Sequence, residues 1–276
     1  MTQFLLRLIS VSNYLKGFQC PIFLFARAIE LDSIDPDSEL VDQLVSKLSS
    51  YLPAFGLSID DDRLRLCVLH LLYVEQVNHY INLTRITNLD EALVLHILDS
   101  LLFLSFIPED SNHLLDMGSG PGYPGLPLHV CSGISTTLLD SVSKKMNAVS
   151  IIADTLGVSD LTCVSDRLET YAKNEADQFD IVTARALASL PVLVEYARPL
   201  LKMGGTLIVS KGVPDESEIS SGLKAAHLCG FKFVDKQEFD LPDNLGHRVI
   251  FSFKVVSSSK VKLPRQNGLA RKNPLA

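Results

Sequence analysis

The chain has 276 residues, 47% hydrophobic and 21% charged, with 25 Lys and Arg against 32 Asp and Glu, a formal net charge of -7. This composition excludes general disorder, and the acidic balance excludes a protein that coats nucleic acid by bulk charge, while leaving room for a local basic site. Five cysteines, at 20, 67, 131, 163 and 229, form no Cys-x-x-Cys pair, so no zinc site or redox pair is indicated and free thiols in a reduced, intracellular setting are expected.

The first 29 residues carry Arg7, Lys16 and Arg27 and no acid. They resemble a targeting segment weakly, lacking a clean apolar core and a small-residue cleavage site, so residues 1–37 stand as an extension without an assigned role. A helical region over 38–108 follows. Its first helix, over 38–56, places Leu40, Val41, Leu44, Val45, Leu48 and Leu52 near helical spacing. Asp37-Ser38-Glu39 opens it and Gly56 ends it. The second spans 60–80. The third spans Asp90–Phe106, with Asp90 as its cap and Pro108 as its stop. The longest charge-free run, Met117 to Leu139, is long enough to cross a bilayer. Its glycines and Pro121, Pro124 and Pro127 forbid a regular helix, so no membrane segment and no membrane partner are expected.

From residue 113 short apolar runs alternate with helical stretches. The strands are His113–Met117, Ser135–Asp140, Leu161–Ser165, Phe179–Ala184 and Gly205–Ser210; the helices are Lys144–Leu156, Leu168–Glu175 and Leu190–Leu201. This alternation predicts an α/β fold, a parallel sheet with helices on both faces. Phe231–Leu241 and His247–Val255, joined by Pro242-Asp-Asn-Leu-Gly246, read as an antiparallel finish. By analogy of fold, that ending suits a class I (Rossmann-like) methyltransferase core over 109–256 better than a dehydrogenase. A basic tail over 257–276 closes the chain. From Lys254 onward it holds six basic residues and no acid. A solvated end and a phosphate-contacting arm are both open readings.

Chemistry concentrates in His113-Leu-Leu-Asp-Met-Gly-Ser-Gly-Pro-Gly-Tyr-Pro-Gly125. An apolar strand runs into Asp116 and a loop containing Gly118, Gly120, Gly122 and Gly125, which lets the backbone approach a ligand. No Gly-Lys-Ser/Thr follows, so this is not a triphosphate-binding loop. Thr136-Thr-Leu-Leu-Asp140 is a second strand ending in a carboxylate, the position that hydrogen-bonds a ribose diol in nucleotide-binding α/β folds. Together they indicate a nucleoside-type cofactor. A nicotinamide-dependent oxidoreductase would also use Gly118, Gly120 and Asp140; Pro121, Pro124 and the antiparallel finish count against it. His70, His79 and His113 lack metal-ligand spacing, so no metal is expected.

Seven further segments extend the pattern: Asn82-Leu-Thr84, His96-Ile-Leu-Asp-Ser100, Leu139-Asp-Ser-Val-Ser-Lys-Lys145, Asp166-Arg-Leu-Glu169, Phe179-Asp-Ile-Val-Thr-Ala-Arg-Ala186, Ser210-Lys-Gly212 and Leu263-Pro-Arg-Gln-Asn-Gly-Leu-Ala-Arg-Lys-Asn-Pro-Leu275. In this order, with the glycine loop, they resemble the RsmG family, also called glucose-inhibited division protein B, from roughly position 40 to the end. The resemblance implies an enzyme that transfers a methyl group from S-adenosylmethionine to N7 of a guanine in the 530 loop of small-subunit 16S ribosomal RNA. It implies cofactor positions at Gly118, Tyr123, Leu168, Glu169 and Arg185, with Asp140 at the ribose. Tyr123 stands where the family often has Phe or Leu, and Gln76-Val-Asn78 stands where it usually has Trp-Asn.

N7 carries an in-plane lone pair and no proton, so positioning and water removal suffice and no general base is required. No catalytic triad is found. The chain also lacks an Asn/Asp-Pro-Pro-aromatic segment after the fourth strand, the mark of exocyclic-amine methylation, and a Pro-Cys nucleophile for pyrimidine C5. Arg185 is expected to orient the base, the cofactor or both, leaving N7 free. Lys144, Lys145 and Lys211 are the expected phosphate contacts at the sheet's carboxyl edge, with Lys262, Arg265 and Lys272 on the tail. Plainer readings stand beside these: Lys144 and Lys145 as a solvated helix start, Arg167 with Glu169 as a surface ion pair, and His96 and Asp99 as structural. The expected partner is small-subunit RNA or the assembling subunit, and the expected state a cytoplasmic monomer. A non-catalytic ribosome-assembly factor with a retained S-adenosylmethionine pocket is the alternative.

Overall fold

The apolar runs from residue 113 onward form one seven-stranded sheet in a computed structural model, which describes residues 29–276. Arg7, Lys16, Cys20 and Arg27, with the reading of the first residues as an extension, lie outside the described residues. The strands are β1 (His113–Met117), β2 (Ser135–Asp140), β3 (Leu161–Ser165), β4 (Phe179–Arg185), β5 (Leu201–Lys211), β6 (Phe231–Asp240) and β7 (His247–Val255). Their order is β3-β2-β1-β4-β5-β7-β6. β1 to β5 are parallel, and β7 runs antiparallel to both β5 and β6. β1 lies at the centre, and its residues Leu114 to Met117 are all buried. The order reverses between β1 and β4, the crevice where open α/β sheets bind ligands.

Two long helices precede the sheet, the first amphipathic and the second buried on all sides over Cys67–Val74. α1 (Glu39–Tyr51) buries Val41, Leu44, Val45 and Leu48 and ends through a 3₁₀ turn at Gly56, whose φ of 68 supplies the left-handed stop. α2 (Asp61–Asn78) is capped by Asp60, whose carboxylate accepts the Arg63 N–H at 3.0 Å. The third expected helix is present but irregular. α3 (Leu89–Ala92) runs into a π-helical turn (Leu93–Leu98), α4 (Asp99–Leu101) and a 3₁₀ turn (Leu102–Phe106). Its cap is Asn88, whose side chain accepts the Glu91 N–H at 3.0 Å; Asp90 pairs instead with Lys47 at 2.7 Å.

The remaining helices are α5 (Gly125–Ser132), α6 (Ser143–Thr155), α7 (Leu168–Asn174), α8 (Leu190–Ala197), α9 (Glu216–Leu228) and α10 (Leu269–Lys272). The sequence pattern does not announce α5 or α9. α5 is almost wholly buried and so shows no polar face. α9 buries only Gly222, Ala225 and Ala226, small residues that leave no apolar periodicity; a Cβ on Gly222 would run into Leu190 of α8. α8 stops at Ala197, and Leu201 opens β5 rather than closing that helix. Cys67, Cys131, Cys163 and Cys229 are all free thiols, the first two buried with their sulfurs 3.8 Å apart.

The tail is anchored through its apolar residues. Leu31–Ala276 is one compact unit, and Leu263, Ala270 and Leu275 pack on the core beneath α8 and β4.

Candidate active site

Asp140 and Asp116 build the glycine loop from two sides. At the end of β2, Asp140 accepts the Gly120 N–H on Oδ2 (3.1 Å) and the Val142 N–H on Oδ1 (2.9 Å). Below it Asp116, fully buried, accepts the Gly125 N–H (3.0 Å) and the Thr183 hydroxyl (3.1 Å). Gly118, with φ of 72, turns the chain where β1 ends. His70 of α2 pins the loop from outside, donating from Nε2 to the Pro121 carbonyl at 2.9 Å.

A cavity of about 280 Å³ opens above this loop, lined by Gly118, Leu139, Asp140, Asp166, Leu168, Glu169, Leu187, Tyr196, Gly268 and Arg271 among others. The donor set fits a nucleoside-type group. Each Asp140 oxygen accepts one backbone bond and retains a lone pair for a diol hydroxyl. Leu139, Leu168 and Leu187 offer apolar surface to a base. Gly118, Asp140, Leu168 and Glu169 of the expected cofactor residues meet here. Glu169 is buried and accepts the Gly268 N–H at 2.7 Å, so it holds the tail rather than forming a surface pair with Arg167. Gly268 and Arg271 are wall residues that sequence reasoning did not assign.

Tyr123 and Arg185 are placed elsewhere. Tyr123 is buried behind the loop, with its ring stacked on His96 at 4.7 Å and against His70 at 4.6 Å. The Arg185 guanidinium covers the same ring at 5.7 Å. Arg185 lines a second cavity, of about 320 Å³, with Ile86, Leu95, His96, Asp99, Ala186, Ser210, Lys211, Gly212 and Arg248. The cavities adjoin along the chain: Ala186 lines one and Leu187 the other. Ala186 has φ of 52, a left-handed conformation uncommon outside glycine and concentrated at functional sites.

A buried ion cluster sets the second cavity. Asp99, 2% exposed, accepts on Oδ2 from Arg185 Nη1 (3.0 Å) and Arg248 Nε (2.9 Å). Arg185 Nη1 also donates to the Leu95 carbonyl at 2.8 Å, and His96 Nε2 shares a hydrogen bond with the Thr84 hydroxyl at 2.8 Å. His96 and Asp99, read from sequence as structural, are therefore both packed and site-lining. Their sequence signals are polarity within a mostly apolar stretch and membership of the segment His96-Ile-Leu-Asp-Ser100.

The expected RNA-contacting residues separate into two groups. Lys144 and Lys262 and Lys272 are exposed and Lys145 is half-buried. Lys144 and Lys145 sit in the first turn of α6, where the helix dipole disfavours cations, which argues for a role beyond helix stability. Lys211 bonds Glu218 at 2.8 Å and the Ala188 carbonyl at 2.9 Å. Arg265 is the correction: both nitrogens of its fork engage Glu195, which is 3% exposed, so its charge is directed inward.

The buried groups give the site a pH signature. Burial lowers the His70 pKa from 6.5 to about 4 and that of His96 to about 3, and raises that of Asp116 from 3.8 to about 6. The histidine contributions are present above pH 6.5 and are lost as pH falls toward 4, because only the unfolded chain takes up their protons. Asp116 acts oppositely, since its folded form binds a proton first, between 6 and 3.8. Two groups against one leave a net loss of roughly 3 kcal/mol between neutral pH and pH 4. Denaturant unfolding at the two pH values measures it, and His70→Gln should flatten the slope; a variant with the parent slope would contradict the assignment.

The fold and site define an α/β protein of the class I methyltransferase type, with a nucleoside-sized cavity over a glycine loop and a second, ion-lined cavity beside it. Residues 65–244 match the family model for GidB, rRNA small subunit methyltransferase G. The chain is 36% identical over 213 residues to the ribosomal RNA small subunit methyltransferase G of Lactobacillus acidophilus, covering 75% of this chain and 89% of that protein. It is 31% identical to the protein of that name from Carboxydothermus hydrogenoformans, covering 83% of this chain and 99% of that one. The chain belongs to the rRNA small subunit methyltransferase G family.

Proposed function

We propose that this protein methylates N7 of a loop guanine in small-subunit ribosomal RNA, with S-adenosylmethionine as donor. The observation that carries the reading is the pair of adjoining cavities, most of whose lining residues fall within the family match over residues 65–244. S-adenosylmethionine, when bound, supplies an electrophilic methyl group on sulfonium. Asp140 would hold its ribose hydroxyls, Gly118 would let it lie close to the backbone, and Leu139, Leu168 and Leu187 would flank its adenine. The Arg185 side of the second cavity would hold the base. Lys144, Lys145, Lys262 and Lys272 would contact phosphate. A loop guanine fits better than a helical one, because splayed loop bases are reachable whereas N7 in an A-form helix faces a deep, narrow groove. The proposed setting is the cytoplasm, where the assembling small subunit would be met. Among the described residues no helix is long and apolar enough to cross a membrane.

The test is labelled-methyl transfer from S-adenosylmethionine to small-subunit RNA from cells lacking this enzyme, with the product mapped by cleavage specific for N7-methylguanine. One mapped loop guanine is the expected result. Transfer to another base would overturn the position of methylation. Tight S-adenosylmethionine binding with no transfer to RNA or to assembled subunits would favour a non-catalytic assembly factor.

A further inference from the structure

Of seven buried side-chain polar atoms without a hydrogen-bond partner among the described residues, three, Asp99 Oδ1, His96 Nδ1 and Ser210 Oγ, belong to residues that line the one cavity beside Arg185. Buried polar atoms are nearly always partnered, so three orphans around one cavity point to a ligand that completes them. Asp99 is the informative member. Arg185 at 3.0 Å and Arg248 at 2.9 Å both hold Oδ2, which fixes the carboxylate in orientation. Oδ1 is left as an oriented acceptor without a partner among the described residues, on a side chain that is 2% exposed.

We infer that Asp99 Oδ1 reads the Watson–Crick edge of the target guanine, accepting from N1–H and the N2 amino group, and so selects guanine for the reaction; this rests on the function proposed above. The chemistry follows from the two edges of a purine. Guanine presents donors at both N1 and N2, whereas adenine presents a lone pair at N1 that a carboxylate repels. The usual arginine reading of guanine engages O6 and N7 together and would block the lone pair that must react. A carboxylate on the opposite edge identifies the same base and leaves N7 free. The Ser210 hydroxyl and His96 Nδ1 remain to pair with other base atoms. Arg185 and Arg248 are positioning residues in this arrangement, acting through Asp99.

The experiment compares methyl transfer to three RNAs that differ only at the mapped position, carrying guanosine, inosine (no N2 amino group) or adenosine. Wild-type enzyme is expected to lose about 10-fold or more in kcat/KM on inosine, and about 100-fold or more on adenosine. Asp99→Asn, which replaces the orphan acceptor and its charge, is expected to treat guanosine and inosine within about threefold of each other. The ratio of two RNAs on one variant is independent of how much of that variant is folded. A merely structural role for Asp99 would lower all rates and keep the wild-type ratios, and that result overturns the assignment. So does a wild-type enzyme that ignores the loss of the amino group. Absence of wild-type transfer even to guanosine would overturn the proposed function, and this assignment with it.

Discussion

Arg185→Ala is expected to reduce methyl transfer by about 100-fold or more while S-adenosylmethionine affinity stays within about threefold. The split follows from where the side chain lies. Arg185 lines the cavity beside Asp99, not the cavity over the glycine loop, so its loss disturbs the proposed base site and spares the cofactor site. It removes one of two anchors from Asp99 and the cation lying 5.7 Å over Tyr123. Asp99 keeps Arg248 at 2.9 Å, so the fold should survive at a cost of about 1–3 kcal/mol. Single-turnover transfer, calorimetric binding and denaturant unfolding on one preparation separate these effects. A variant with the wild-type rate would refute the role, and one that fails to bind S-adenosylmethionine would return Arg185 to the cofactor site.

Arg265→Ala is expected to produce the largest loss of stability. Its fork grips Glu195, which is 3% exposed, and truncation strands that carboxylate in the core beneath the tail. Breaking a buried pair in this way costs about 3–5 kcal/mol, whereas replacing both partners with apolar residues is near neutral. The melting temperature should fall by roughly 10 °C, and adding Glu195→Leu to an Arg265→Met variant should recover most of it. Equal melting of wild type and Arg265→Ala would show that the pair contributes nothing. If Arg265 contacted phosphate, as its composition suggested, the substitution would weaken RNA binding and leave the melting temperature alone.

The parallel sheet was legible because its strands are apolar runs that stop at acids: Asp116 lies within β1 and Asp140 ends β2, and both became the supports of the glycine loop. α5 and α9 were not legible, since one has no polar face and the other packs through Gly222, Ala225 and Ala226. Family resemblance brought Gly118, Asp140, Leu168 and Glu169 to one cavity, but no spacing along the chain could join Asp99 to Arg185 and Arg248, 86 and 149 residues away. A π-helical turn over Leu93–Leu98 intervenes as well, altering the face on which a regular helix would place Asp99. Composition misled at one tail residue, Arg265. Six positive charges without an acid suggest solvent or phosphate, but the acid that answers Arg265 is Glu195, supplied by α8.

Glu169 holding Gly268 also makes the cavity depend on the tail. Gly118 and Asp140 are placed by the pairing of β1 with β2, whereas the wall made by Gly268 and Arg271 comes from beyond the sheet. A chain cut after β7 is therefore expected to keep every strand of the sheet but to lack one wall of the cavity, and so to retain a small ligand less well than the longer chain.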